Sequence, residues 1–112
     1  MSDKLTVLLT SDNKETVVNM AFMYILNAKK NNWFNEIDLI IWGPSQKLVI
    51  NDIDVKSILS DIMETGVRVF ACKACSDRYG ISGELQELNI DVKYMGKDLT
   101  SILKGDDRVL TI

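Results

Sequence analysis

Two cysteines three positions apart are the residues of this sequence best suited to chemistry. They lie in Cys72-Lys73-Ala74-Cys75, and the 112-residue chain contains no other cysteine and no histidine. The lack of histidine excludes Ser-His-Asp and Cys-His catalysis, HExxH zinc sites and imidazole proton transfer near neutral pH. Nucleophilic chemistry in this chain must therefore proceed without an imidazole base.

The position of Cys72 favours the thiolate form. The mostly apolar segment 67–71 predicts a strand that leads directly into a short helix, and backbone amides at a helix N-terminus stabilise a thiolate. Lys73 and Arg78 add positive charge, and Cys75 lies within reach on the same helix face. We expect attack on a disulfide or a persulfide. The alternative is that both cysteines are small buried residues that fill space.

Three classes of protein could explain a CxxC pair. Thioredoxin-type exchange needs a cis-proline downstream of the motif, whereas the only proline, Pro44, lies upstream. Structural zinc needs four ligands, which two cysteines could complete only across subunits. The third class is a sulfur carrier or a binding module built on a reactive thiol. GxGxxG and GxxxxGK[ST] motifs are missing, so we expect neither a nucleotide cofactor nor a metal.

Composition indicates one globular domain over residues 1–112, with 46% apolar and 26% charged residues. The net charge of -3 has the wrong sign for direct binding to nucleic acid. No apolar run approaches the roughly 20 residues of a membrane span, and the first residues do not resemble a signal peptide. We therefore expect a cytoplasmic protein with reduced thiols.

Strand and helix patterns alternate along the chain. Such alternation predicts a mostly parallel sheet with helices on both faces, an α/β/α arrangement in three layers. The segment 47–50 is predicted as a short extension or a turn. The predicted strands are 5–9, 37–42, 67–71, 90–94 and 108–112. Helices are predicted from Asp12 or Asn13 to about Asn31, from Asp52 or Asp54 to Gly66, from Cys72 to Gly80, from Ser82, and over 99–103.

The first predicted helix is apolar around nearly its whole circumference between Val17 and Leu26. A helix of this kind is buried on more than one side. Because one side faces the sheet, the other is predicted to face a second subunit.

Functional groups in such folds collect where strands end and helices begin. The alternative to sulfur chemistry is a noncatalytic oligomeric module that binds a small ligand or a protein through Ser11, Asn13, Ser45 and Lys97. The candidate reactive residues are Cys72 and Cys75, and the candidate substrate-binding residues are Ser11, Asn13, Gly43, Ser45, Lys73 and Arg78.

Several segments together resemble the DsrE/DsrF-like family of small sulfur-relay proteins. They are the run from Gly66 to Cys72, Arg78-Tyr79-Gly80-Ile81, Ile90-Asp91-Val92, the closing Val109-Leu110-Thr111-Ile112 and the turn Ile40-Ile41-Trp42-Gly43-Pro44. The resemblance covers essentially the whole chain.

The resemblance implies a flavodoxin-like domain with five parallel strands that assembles into homotrimers or homohexamers. It also implies a persulfide on the cysteine eight residues before the glycine of an Arg-x-Gly element, here Cys72 before Gly80. Protein sulfur donors and acceptors would then be its partners. Cys75 is not explained by a single-cysteine relay, because a neighbouring thiol can attack a persulfide and release sulfide. Either it points into the core, or the protein reduces persulfides or senses redox state.

Overall fold

The computed structural model describes residues 3–112, which form a five-stranded parallel sheet in the order β4-β3-β2-β1-β5. This architecture confirms the α/β fold predicted from the alternating pattern. The strands are β1 (Lys4–Leu9), β2 (Glu36–Ile41), β3 (Arg68–Cys72), β4 (Asp91–Lys93) and β5 (Arg108–Thr111).

Helical segments connect each strand to the next. The first connection is a continuous helical segment, residues 14–30, whose middle part Val17–Phe22 is wound as a π-helix. Within residues 3–112, no helix is long and apolar enough to cross a membrane. The α-helices are α1 (Lys14–Thr16), α2 (Met23–Lys30), α3 (Ser45–Asn51), α4 (Ile53–Glu64), α5 (Lys73–Tyr79), α6 (Ser82–Glu87) and α7 (Gly96–Lys104).

Side chains near the ends of these helices explain where they begin and stop. Asn13 Oδ1 accepts a hydrogen bond from the Thr16 amide at 3.0 Å, which confirms Asn13 as the first cap. Asp52 Oδ1 likewise accepts hydrogen bonds from the amides of Asp54 and Val55, the second and third residues of α4. Gly66 and Gly80 have φ values of 96° and 70°, a conformation that glycine adopts without a steric penalty.

The two faces of the sheet are covered unequally. β1 to β4 follow each other across the sheet, so right-handed crossovers place the segment 14–30 and α3 to α6 on one face. The return from β4 to β5 places α7 on the other face. The main core lies on the first face, where Val7 and Leu39 pack with Phe22, Leu59 and other fully buried side chains.

The second face carries a buried carboxylate, Asp38, which is 5% exposed. Lys4 Nζ lies 2.9 Å from it, and Arg68 binds both of its oxygens at 2.9 and 2.7 Å. Its neighbour across the β1–β2 register is Thr6, whose buried hydroxyl has no hydrogen-bond partner within residues 3–112. A groove of about 390 Å³ between this face and α7 includes Asp38, Arg68 and Phe70 in its lining.

Two local expectations are wrong. Residues 47–50 belong to helix α3, because Pro44 opens a helical turn that buries Gln46 beneath the strand ends. Ser82 does not cap α6, since its hydroxyl donates to Asp77 Oδ1 instead. Within the segment 14–30, Met20 and Met23 are 44% and 51% exposed on the single chain, and the contact of this helix with a second subunit stays a prediction.

Candidate functional site

Cys72 and Cys75 lie at the carboxyl edge of β3. Cys72 ends the strand and is the N-cap residue of α5, with an extended backbone at φ -72° and ψ 112°. Its side chain is buried, with the residue only 4% exposed, whereas Cys75 is half-buried in the first turn of α5. Both cysteines are reduced. The structure therefore places both thiols in one short turn, as the CxxC spacing predicts.

The surroundings of Cys75 act on its thiol in opposite directions. Burial raises the pKa of Cys75, and the adjacent Cys72 side chain raises it further. The backbone N–H of Gly43, which donates toward the Cys75 sulfur, and the charge of Arg78 lower it. Burial dominates, so Cys75 is a neutral thiol near pH 7. Gly43 and Arg78, both predicted binding residues, thus act on the Cys75 thiol.

Gln46 holds the ends of β2 and β3 together, and no sequence motif predicts this role. Its side chain is fully buried, and Nε2 donates to the Ile41 carbonyl at 3.0 Å and to the Cys72 carbonyl at 3.1 Å. Its other amide atom, Oε1, has no hydrogen-bond partner within the described part of the chain. Gln46 is therefore the side chain that ties the backbone of Cys72 to the neighbouring strand.

Ser45 has the corresponding role between β1 and β2. Its hydroxyl is buried, donates to the Leu9 carbonyl at 2.7 Å and accepts from the Trp42 amide at 3.2 Å. These bonds give Ser45 a structural role in this conformation, and they leave its oxygen with little capacity for a ligand.

Lys73 forms its observed contacts with Asp77 and Tyr94. Its ammonium group donates to Asp77 at 2.7 Å, which raises the pKa of Lys73, and it lies 5.3 Å from the centre of the Tyr94 ring. Asp77 also accepts a hydrogen bond from Ser82, at 2.6 Å. The first turn of α5 is thereby fastened to its own last turn and to α6.

The predicted residues after β1 make local contacts. Ser11 Oγ accepts from the Asn13 amide at 3.1 Å, and Asn13 caps α1. Lys97, in the alternative set, is exposed in the first turn of α7. Among residues 3–112 no group of three or more His, Cys, Asp or Glu side chains is placed to hold a metal ion. The strand ends thus gather Gly43, Cys72, Cys75 and Arg78, while Ser11 and Asn13 shape the turn after β1.

Comparison with solved structures supports this fold over the whole chain. A conserved protein of unknown function from Bacteroides thetaiotaomicron, BT1422, is 43% identical, with a TM-score of 0.96 and coverage of 98% of this chain and 95% of that one. YchN from Escherichia coli is 17% identical, with a TM-score of 0.74 and full coverage of both chains. MTH1491 from Methanobacterium thermoautotrophicum, a protein of unknown function, is 16% identical, with a TM-score of 0.76 and coverage of 97% and 98%.

No match was found among curated protein sequences. The model of the DsrE/DsrF-like family matches residues 3–112, nearly the entire sequence. The strand order, the cysteine pair after β3 and the Arg-Tyr-Gly element at the end of α5 all lie within that match. The chain belongs to the DsrE/DsrF-like family.

Proposed function

We propose that this protein is a cytoplasmic sulfur carrier that holds sulfane sulfur as a persulfide on Cys72. The observation that carries the proposal is the position of Cys72 at the carboxyl edge of an interior strand, eight residues before Gly80, in a chain of the DsrE/DsrF-like family. Membership of a family supports the fold more strongly than the activity, so the proposed activity depends on this site.

The loading reaction needs only a thiolate. Cys72 attacks the terminal sulfur of a persulfide on a donor protein, the new S–S bond forms on Cys72, and the donor departs as a thiolate. A nucleophile on an acceptor protein then takes the terminal sulfur and returns Cys72 to its thiolate. No electrons are gained or lost overall, and no histidine is required. The exposed guanidinium of Arg78 favours an anionic sulfur at this edge.

A second candidate is the noncatalytic binding module, and the burial of Cys72 favours it. At 4% exposure the sulfur is not open to a donor protein unless the first turn of α5 shifts. The two functions predict different thiol reactivity. In a carrier, iodoacetamide near pH 6 alkylates Cys72 faster than it alkylates a free thiol. An inert buried cysteine reacts no faster than a free thiol.

The decisive experiment incubates the reduced protein anaerobically with cysteine persulfide and measures the intact mass. A carrier gains one sulfur, about 32 Da, on the peptide that contains Cys72. Cys72→Ser abolishes the gain, whereas Cys75→Ser, the matched control, keeps it. Failure of both the wild type and Cys75→Ser to load would contradict the proposal.

We also propose that the chain forms a homotrimer or homohexamer through the segment 14–30. From Val17 to Ala28 this segment has no charged residue, and Met20, Met23 and the adjacent Trp33 are 44%, 51% and 54% exposed. A charge-free face rich in Met and Trp suits contact between copies that share the same net charge.

Sedimentation of the wild type and of Met23→Lys tests this assembly. We expect three or six copies in the wild type and a smaller species for Met23→Lys, because the substitution buries a charge in the contact. Ser60→Lys, on the exposed side of α4, is the control and keeps the wild-type mass. A monomeric wild type, or an unchanged Met23→Lys assembly, would show that this face is not the interface.

A further inference from the structure

Cys72 and Cys75 occupy a pair of helix positions whose side chains reach each other. Cys72 is the N-cap residue of α5, and Cys75 is the third residue of that helix. In the capping box the side chains at these two positions each bond to the backbone of the other residue, so both point to the same side of the first turn. The Cys72 side chain is accordingly a direct neighbour of the Cys75 thiol.

The geometry permits a bond between the two sulfurs. Residues three apart in a regular helix have Cβ atoms about 5–6 Å apart, and a disulfide takes about 3.5–4.5 Å. Cys72 lies outside the helix, with an extended backbone at ψ 112°, so it can close that gap without unwinding α5. Both cysteines are reduced in the present structure, so the bond is open to form.

The turn that contains Gly43 contributes to the surroundings of Cys75. Gly43 contributes its backbone N–H toward the Cys75 sulfur, from a turn whose φ of 66° is the left-handed conformation of glycine. The turn after β2 therefore lies next to the Cys75 thiol.

We propose that Cys75 is a resolving thiol that attacks the inner sulfur of a persulfide on Cys72, forms a Cys72–Cys75 disulfide and releases hydrosulfide. The inference rests on the proposed function, because it requires the persulfide to be loaded first. Cys75 loses its proton to water, its sulfur bonds to the inner sulfur, and the S–S bond to the outer sulfur breaks. Two electrons pass from the cysteine sulfurs to the outer sulfur, which leaves as HS⁻. A dithiol reductant then restores both thiols.

This reaction sets a lifetime for the carried sulfur. An acceptor protein that binds promptly takes the outer sulfur of the persulfide. If no acceptor binds, that sulfur is reduced to sulfide. Because burial raises the pKa of Cys75 above that of an ordinary thiol, little of it is thiolate near pH 7, so the release is slow there and delivery has time to occur.

The test follows the loaded protein over time. Wild type, Cys75→Ser and Cys75→Ala are loaded with cysteine persulfide, desalted anaerobically and sampled for intact mass and for free sulfide. We expect the wild type to lose the added sulfur, to release about one sulfide per chain and to finish about 2 Da lighter than the reduced chain. Both variants keep the added sulfur at least about tenfold longer, because no second thiol remains to attack.

The outcomes separate the two proposals. Equal persulfide lifetimes in the wild type and both variants would overturn the role of Cys75 and leave the carrier function intact. An added sulfur that moves to the Cys75 peptide, without sulfide release, would also overturn it, since attack then occurs at the outer sulfur. If no protein that retains Cys72 gains a sulfur, the carrier function is contradicted, and so is the resolving role of Cys75. Urea unfolding of each variant confirms that the substitution leaves the fold intact.

Discussion

Replacing Gln46 by methionine tests whether one buried amide holds the strand ends around Cys72. Methionine has nearly the same length and shape, so the substitution removes polar atoms without opening a large cavity. The two hydrogen bonds lost are those from Nε2 to the carbonyl oxygens of Ile41 and Cys72. Both oxygens are buried, so water does not replace the missing donor.

The size of the effect follows from these contacts. Each lost hydrogen bond to a buried carbonyl reduces the free energy of unfolding by about 1–3 kcal/mol. The substitution also removes Oε1, which is buried without a partner, and this recovers about the same amount as one of those bonds. We therefore expect Gln46→Met to lower the free energy of unfolding by about 2 kcal/mol and the melting temperature by about 10 °C.

Urea unfolding measured by fluorescence and circular dichroism gives the free energy and shows whether the slope is preserved. Gln86→Met, on the exposed side of α6, is the matched control and is expected to change stability by less than about 0.5 kcal/mol. Alkylation of Cys72 by iodoacetamide should be faster in Gln46→Met, because the end of β3 loses its link to β2. A Gln46→Met protein as stable as the control would refute the reasoning.

Three further predictions concern groups elsewhere in the molecule. Burial opposes ionisation of Asp38, but hydrogen bonds from Arg68 and Lys4 outweigh it and hold the pKa of Asp38 below its usual value. Its carboxylate therefore stabilises the fold above about pH 4, and the advantage of wild type over Asp38→Asn in urea unfolding should shrink as the pH falls through that lowered pKa. Thr6→Val should raise the free energy of unfolding by about 1 kcal/mol, since it removes a buried hydroxyl that lacks a partner; a loss of stability would contradict this. Because Cys75 attacks as a thiolate and its pKa is raised, sulfide release from the loaded wild type should accelerate about tenfold per pH unit below that pKa for as long as the outer sulfur keeps its proton, and a flat profile in that range would show that another step limits it.

Local chemistry made most of the fold predictable. Every strand was located to within a residue or two: mostly apolar runs marked the interior strands β1 to β3, because buried parallel strands carry few polar residues, and alternation of apolar and charged residues marked the edge strand β4. Asn13 and Asp52 were recognisable as helix caps because their side chains bond to amides only two or three residues away. Gly66 and Gly80 marked the ends of helices because this signal is also local: the positive φ depends on a single residue.

The features that could not be predicted depend on distant segments. Gln46 acts through Cys72, which lies 26 residues away, so no local pattern reveals its partner. Helix α3 forms because its first turn packs beneath the strand ends, although 47–50 alone reads as an extended run. The π-helical winding of Val17–Phe22 has no sequence signal that we can identify. The rule that functional groups collect at the carboxyl edge of the sheet predicted the place of the cysteine pair. The contact of Gly43 with Cys75 is visible only in the three-dimensional structure.

The pairing of β5 with β1 has a consequence for synthesis of the protein on the ribosome. β1 is an interior strand, yet its second neighbour comes from the far end of the described chain, and the contact between Thr10 and Ile112 spans 102 residues. Until β5 is made, the nascent chain exposes an unpaired edge along one of its most apolar strands. Open edges of this kind recruit other chains, so the period before β5 emerges is the one in which the protein most needs protection from aggregation.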